Sequence, residues 1–143
     1  MSYNETRIPT GTIAGVDDDG DPSRGDNLEI AVRLLPGVDV LALSGQAKAG
    51  SHLSLRETFL DSVEQGRMKF IINLNEASYI DSMMIGEMVA CFKRARERGG
   101  DVKLVVASQG IVHELIQLTG LDHAFQVYGD ELEAAASFAN PPS

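Results

Sequence analysis

The sequence predicts a single α/β domain, built on a mixed central β-sheet of four to five strands with about four helices. Three observations carry that prediction. Short apolar runs alternate with segments whose apolar residues recur at steps of three and four, the pattern of strands alternating with amphipathic helices. The first two runs are joined by Pro36-Gly37, a turn-forming pair that makes them antiparallel, whereas the later helix-containing connections favour parallel pairing. The chain has 143 residues, room for one ordinary domain.

Taken in order, residues 28–35 and 38–44 read as the two strands of a β-hairpin. Ser54-Leu55-Arg56-Glu57 has the spacing of a capping box, with Phe59, Leu60 and Val63 as the apolar stripe of the helix it opens and Gly66 as its stop. Phe70-Ile71-Ile72-Asn73-Leu74 is apolar enough for a strand buried on both faces. Met84, Met88, Cys91, Phe92 and Ala95 then mark one face of a helix over about 82–98, while Glu87, Lys93, Arg94, Arg96 and Glu97 fall mostly elsewhere on the wheel. Gly99-Gly100 ends it, and residues 102–107 form the next β-rich run. After Ser108 a helix is expected, with Ile111, Val112, Leu115 and Ile116 as its stripe and Gly120 in the left-handed C-terminal position. Residues 125–128 form a short strand. Asp130 and Glu133 have N-cap and third-position spacing for a terminal helix through Ala134, Ala135 and Phe138, which Pro141-Pro142 prevents from continuing.

Composition narrows the function classes. Hydrophobic residues make up 43% and charged residues 23%, as in globular proteins with a buried core. No stretch approaches the roughly 18–20 uninterrupted apolar residues of a membrane span, and the start of the chain is polar rather than basic and apolar, so a cytoplasmic address without membrane attachment is expected. Cys91 is the sole cysteine, which leaves no internal disulfide or cysteine-rich metal cage; its place in an apolar helical pattern predicts a buried structural thiol. A net charge of −9 argues against a broad surface for nucleic acid or anionic lipid.

Residues 1–27 show no periodicity. Six acidic residues there (Glu5, Asp17, Asp18, Asp19, Asp21 and Asp26) outnumber Arg7 and Arg24, so the segment reads as a flexible acidic tail, leaving 28–143 as the domain. The aspartates do not have calcium-loop spacing: with Gly20 at the obligatory sixth position, Gly15 falls at the first, where an acidic ligand is needed. No metal or cofactor is expected.

Asn73-Leu74 leading into Ser78-Tyr79-Ile80-Asp81-Ser82, followed by Ile85-Gly86, in this order of elements resembles the STAS domain of bacterial anti-sigma-factor antagonists. Gly99-Gly100 and Leu118-Thr119-Gly120-Leu121 match further family features, and the resemblance extends over residues 28–138. It implies a phosphorylation-controlled protein-binding switch rather than an enzyme. By position, Ser82 is the phosphoacceptor, its partners an anti-sigma factor with serine kinase activity and a protein phosphatase that removes the phosphate. The surface presented to the partner is expected to comprise Asp81, Ser82, Met83 and Met84, on a monomer or weak homodimer. The alternative is a constitutive STAS scaffold or sensory assembly module in which Ser82 only caps a helix.

The residues supply a physical logic for such a switch. Ser82 lies where a turn enters a helix, and the unpaired N–H groups and dipole there tolerate negative charge. A phosphate would add about −1.5 to −2 charges beside Asp81 and so repel a partner that must dock closely. Two features depart from the family. Met83 and Met84 stand where small residues are usual, and Lys48, in Gly45-Gln46-Ala47-Lys48-Ala49-Gly50, stands near an expected aspartate. Met83, Met84 and Ile85 span about 200° of a helical wheel, so at least one methionine projects near Ser82.

A hydrolase built on Asp81, Ser82 and His113 lacks the Gly-x-Ser-x-Gly elbow, and His52, His113 and His123 lack metal-ligand spacing. No phosphate-binding loop for ATP or GTP is present. Lys93, Arg94, Arg96, Arg98 and Lys103 form the one basic concentration, expected to be a solvated helix face.

Overall fold

The computed structural model describes residues 6–7, 28–48 and 50–139. Its core is a mixed sheet in which spatial order follows chain order. The strands are β1 (Thr6–Arg7), β2 (Glu29–Leu35), β3 (Val38–Ala47), β4 (Lys69–Ile80), β5 (Asp101–Val105) and β6 (Val127–Tyr128). The helices are α1 (His52–Glu64), α2 (Ser82–Glu97), α3 (Ile111–Leu118), α4 (Leu121–Ala124) and α5 (Glu131–Ala139). β2 and β3 pair antiparallel, with Leu35 opposite Val38, while β3–β4, β4–β5 and β5–β6 are parallel. Pro36 presets the first turn dihedral and Gly37 supplies the positive φ of 79° that the second needs, which closes the hairpin in two residues.

Because the parallel strands are added in one direction, crossovers of one hand place their helices on one face of the sheet. The burial agrees. Leu55 and Phe59 of α1, Met84, Met88, Cys91 and Ala95 of α2, Val112 and Ile116 of α3 and Leu121 of α4 pack with Leu41, Leu43, Phe70, Ile72 and Leu104 of the sheet. On the opposite face Val38, Val40, Ile71 and Val105 meet Ala134 of α5. Successive residues of β4 therefore enter two cores, which explains its continuous apolar run. The α2–β5 turn depends on Gly100, where a Cβ would stand 1.9 Å from the Met68 carbonyl oxygen.

Several expectations need correction. Within the segment read as a flexible tail, Thr6 and Arg7 pair with Arg33 and Val32 on the edge of β2; the rest of 1–27, with its aspartates, lies outside the described residues. The capping box at Ser54 does not open α1, which starts one turn earlier. Gly50, with φ 90°, turns the chain, its carbonyl accepts from the Leu53 N–H, and Ser54 is already helical. β3 and β4 run on to Ala47 and Ile80 past register shifts between Ala42 and Ser44 and between Gly45 and Gln46. The last strand starts at Val127. Phe125 instead ends α4, a helix not anticipated, with its ring 4.8 Å from that of Phe92.

Two charged residues also change places. Lys103 leaves the basic cluster: period-two alternation puts it on the α5 face beside Val105, where it is buried, donates to Ser137 Oγ at 2.6 Å and lies 4.2 Å from the Phe138 ring centroid. Glu87, assigned to the polar side of α2, is buried against α1 and accepts from Arg56 at 2.9 Å. The anticipated caps at Asp130, whose Oδ1 accepts from the Glu133 N–H at 2.8 Å, and at Gly120, with φ 77°, are present.

Candidate functional site

The head of α2 is built from the last rung between β3 and β4. Ala47 pairs with Ile80, and the Asp81 N–H then donates to the Ala47 carbonyl at 2.9 Å. Asp81 keeps an extended conformation (φ −96°, ψ 176°), so its side chain folds back over the helix it precedes. Its Oδ1 accepts from the Met84 N–H at 2.9 Å and its carbonyl from the Ile85 N–H at 3.1 Å. Asp81 is thus the N-cap, and Ser82 is the first helical residue, exposed, with no hydrogen-bond partner for its hydroxyl among the described residues.

About 100° of helical rotation separates consecutive residues, and this sorts the two methionines. Met83 is 56% exposed, whereas Met84 is 0% exposed and packs in the core. Met84 therefore does not belong to the surface expected to comprise Asp81, Ser82, Met83 and Met84; it anchors that surface from below. This end of the domain carries further exposed apolar residues that sequence reasoning missed. Leu53 is 48% and Tyr79 41% exposed. Arg56 of α1 and Glu87 of α2 form an ion pair, and Leu53 and Met83 each stand one turn N-terminal to a member of it. Leu53 and Met83 therefore both lie at the N-terminal end of the α1–α2 pair, the end that carries Ser82. Tyr79 stands near the same end of β4, three residues before Ser82 and opposite Gln46, next to Ile80, which faces the core. The available signal was the alternation of exposed Tyr79 with buried Ile80, obscured by the polar residues before it.

His113 is half-buried and lies elsewhere. It lines a cavity of about 90 Å³ beside the second half of β4 and beyond the end of β5, together with Leu74, Ser78, Val106, Gln109 and Val112. Neither Asp81 nor Ser82 lines it, and the Asp81 carboxylate is engaged in capping, so the three residues a hydrolase would combine are not assembled there. At about 90 Å³ the cavity is well below the roughly 300–1,000 Å³ of small-molecule sites such as one for a nucleotide. Among the described residues no three His, Cys, Asp or Glu side chains cluster as metal ligands, and no helix is long and apolar enough to cross a membrane. Cys91 is buried; loss of water, reinforced by the nearby Glu87 charge, pushes its thiol up and keeps it protonated and unreactive.

Comparison with known proteins agrees with this architecture. The family model of the STAS domain matches residues 29–134. An anti-sigma-B factor antagonist of Bacillus subtilis (strain 168) is 34% identical over 79 residues, covering 55% of this chain and 71% of the relative. Among solved structures, an anti-sigma factor antagonist from Mycobacterium paratuberculosis superposes with a TM-score of 0.70 at 21% identity, covering 78% of this chain and 94% of that one. The Bacillus cell fate determinant SpoIIAA in its phosphorylated form superposes with a TM-score of 0.58 at 16% identity, covering 76% and 98%. At those two identities the likeness is one of fold. The extent of the family match, the sheet order and the capped Asp81-Ser82 helix start together place the chain in the STAS domain family.

Proposed function

We propose that this chain is an anti-sigma-factor antagonist that binds its partner through the surface around Ser82 and is switched by phosphorylation of that serine. The observation that carries the reading is the division of roles at the head of α2. Asp81 satisfies the helix, which leaves the Ser82 hydroxyl exposed and uncommitted at the end of the domain that also carries exposed Leu53, Met83 and Tyr79. Apolar side chains around a small polar group suit a docking surface, because the apolar area favours association while one added phosphate opposes it. The relative from Bacillus subtilis, named as an anti-sigma-B factor antagonist, supports the functional class.

In this reading the partner is an anti-sigma factor with serine kinase activity. Ser82 Oγ attacks the terminal phosphorus of the partner's ATP, ADP leaves, and the hydroxyl proton passes to a base on the kinase. The phosphate sits at a helix N-terminus that tolerates its charge, so the fold survives while the interface is lost. A protein phosphatase restores the binding form. Incubation with the cognate kinase should place one phosphate on the wild-type chain and none on Ser82→Ala; equal labelling of both proteins would remove Ser82 from this role.

A constitutive scaffold is the competing reading, favoured by the exposed Lys48 and Met83 at a surface where the family usually carries other residues. It predicts assembly indifferent to Ser82→Asp.

A further inference from the structure

Ala47 and Asp81 form the last hydrogen-bonded contact between β3 and the entry to α2, at 2.9 Å. The next residues on the two segments are Lys48 and Ser82. With paired strands roughly 5 Å apart and about 3.8 Å per residue, their Cα atoms lie at most about 13 Å apart, a gap that a lysine stem and a phosphoserine together can close. The Lys48 backbone is held on both sides: Ser51 Oγ donates to its carbonyl at 2.6 Å and accepts from its N–H at 3.2 Å. Its side chain is exposed and has no ion-pair partner among the described residues.

Other cations are less well placed. Arg56 is engaged by Glu87 one turn further along the helices. Lys93 and Arg94 stand about three turns down α2 from Ser82, roughly 16–18 Å along its axis.

We infer that Lys48 is the counter-charge of phosphorylated Ser82. Its ammonium pairs with the phosphate across the last rung, so modification both adds negative charge and engages a cation that the unmodified surface offers freely. The inference rests on Ser82 being the phosphoacceptor and names the residue of this chain that receives the phosphate. Lys48 is a positioning residue: it steers the phosphate and takes no part in its transfer.

The test uses the full chain with phosphoserine installed at position 82 during translation, so that no kinase is needed. The second ionisation of the phosphate is followed by phosphorus NMR. An ion pair favours the dianion, so the midpoint in the wild-type background should lie about half a pH unit below that in Lys48→Gln, an offset that shrinks at high salt. Lys93→Gln should titrate as the wild type does, and Asp81, the neighbouring carboxylate, is common to all three proteins. A wild-type midpoint in Lys48→Gln, or an equal displacement in Lys93→Gln, would overturn the inference. Failure of a kinase to modify Ser82 would instead strike at the proposed function and leave this titration unchanged.

Discussion

At the scale of single residues, Met83 and Met84 show how one step along a helix separates binding from folding. Both are unbranched and adaptable, and composition cannot distinguish them. Their positions on α2 do, because Met84 points into the core between sheet and helix while Met83 points outward to solvent. Met84→Ala should cost about 2–5 kcal/mol of unfolding free energy through the cavity it leaves. Met83→Ala should change stability by no more than about 0.5 kcal/mol, yet weaken the complex with the anti-sigma partner. Urea denaturation and a binding titration on both variants check this. A large stability loss in Met83→Ala would show that its exposed side chain is a packing element after all.

At the scale of elements, α5 is attached to the sheet through charge as well as apolar contact. Glu131 in its first turn accepts from Arg33 on β2 and from Asn73 on β4, tying together two strands that flank β3. Burial alone would raise the Glu131 carboxyl, but the hydrogen bonds from Arg33 and Asn73 and the Arg33 charge outweigh it and hold the carboxyl below its ordinary value. A carboxylate depressed in the folded state adds stability above its unfolded value of about 4.5 and loses that contribution as pH falls through the lower, folded value. Glu131→Gln should therefore lower stability near neutral pH and flatten its fall below about pH 4.5, as read from denaturation midpoints across that range. Parallel pH curves for the two proteins would show that Glu131 contributes nothing to the attachment of α5.

At the scale of the whole molecule, what the sequence revealed depended on whether the cause was local. α2 was legible because one face packs on the sheet while the other meets solvent, and the centre of β4 because both its faces are buried. The Asp130 cap and the Gly120 turn were legible because the partners lie within a few residues. The far half of β4 was not. Its pairing with β5 ends at Asn73 opposite Val105, and beyond that β3 is the only strand paired with it, so polar Asn75, Glu76 and Ser78 are tolerated in a strand and the apolar pattern disappears. Lys103 was misplaced because neighbourhood in sequence stood in for the face of a strand. The Asp81-Ser82 start of α2 could be read directly, whereas Leu53, Tyr79 and Lys48 come to the same end of the domain from the preceding β3–α1–β4 crossover, a placement visible only once the sheet is assembled. The central claim is that Ser82 governs docking at that end of the domain. Its most direct test is titration of the anti-sigma partner with the unmodified chain and with the chain carrying phosphoserine at position 82. The account predicts at least about tenfold weaker binding of the phosphorylated form, about 1.4 kcal/mol, with the fold retained; equal affinity of the two forms would contradict it.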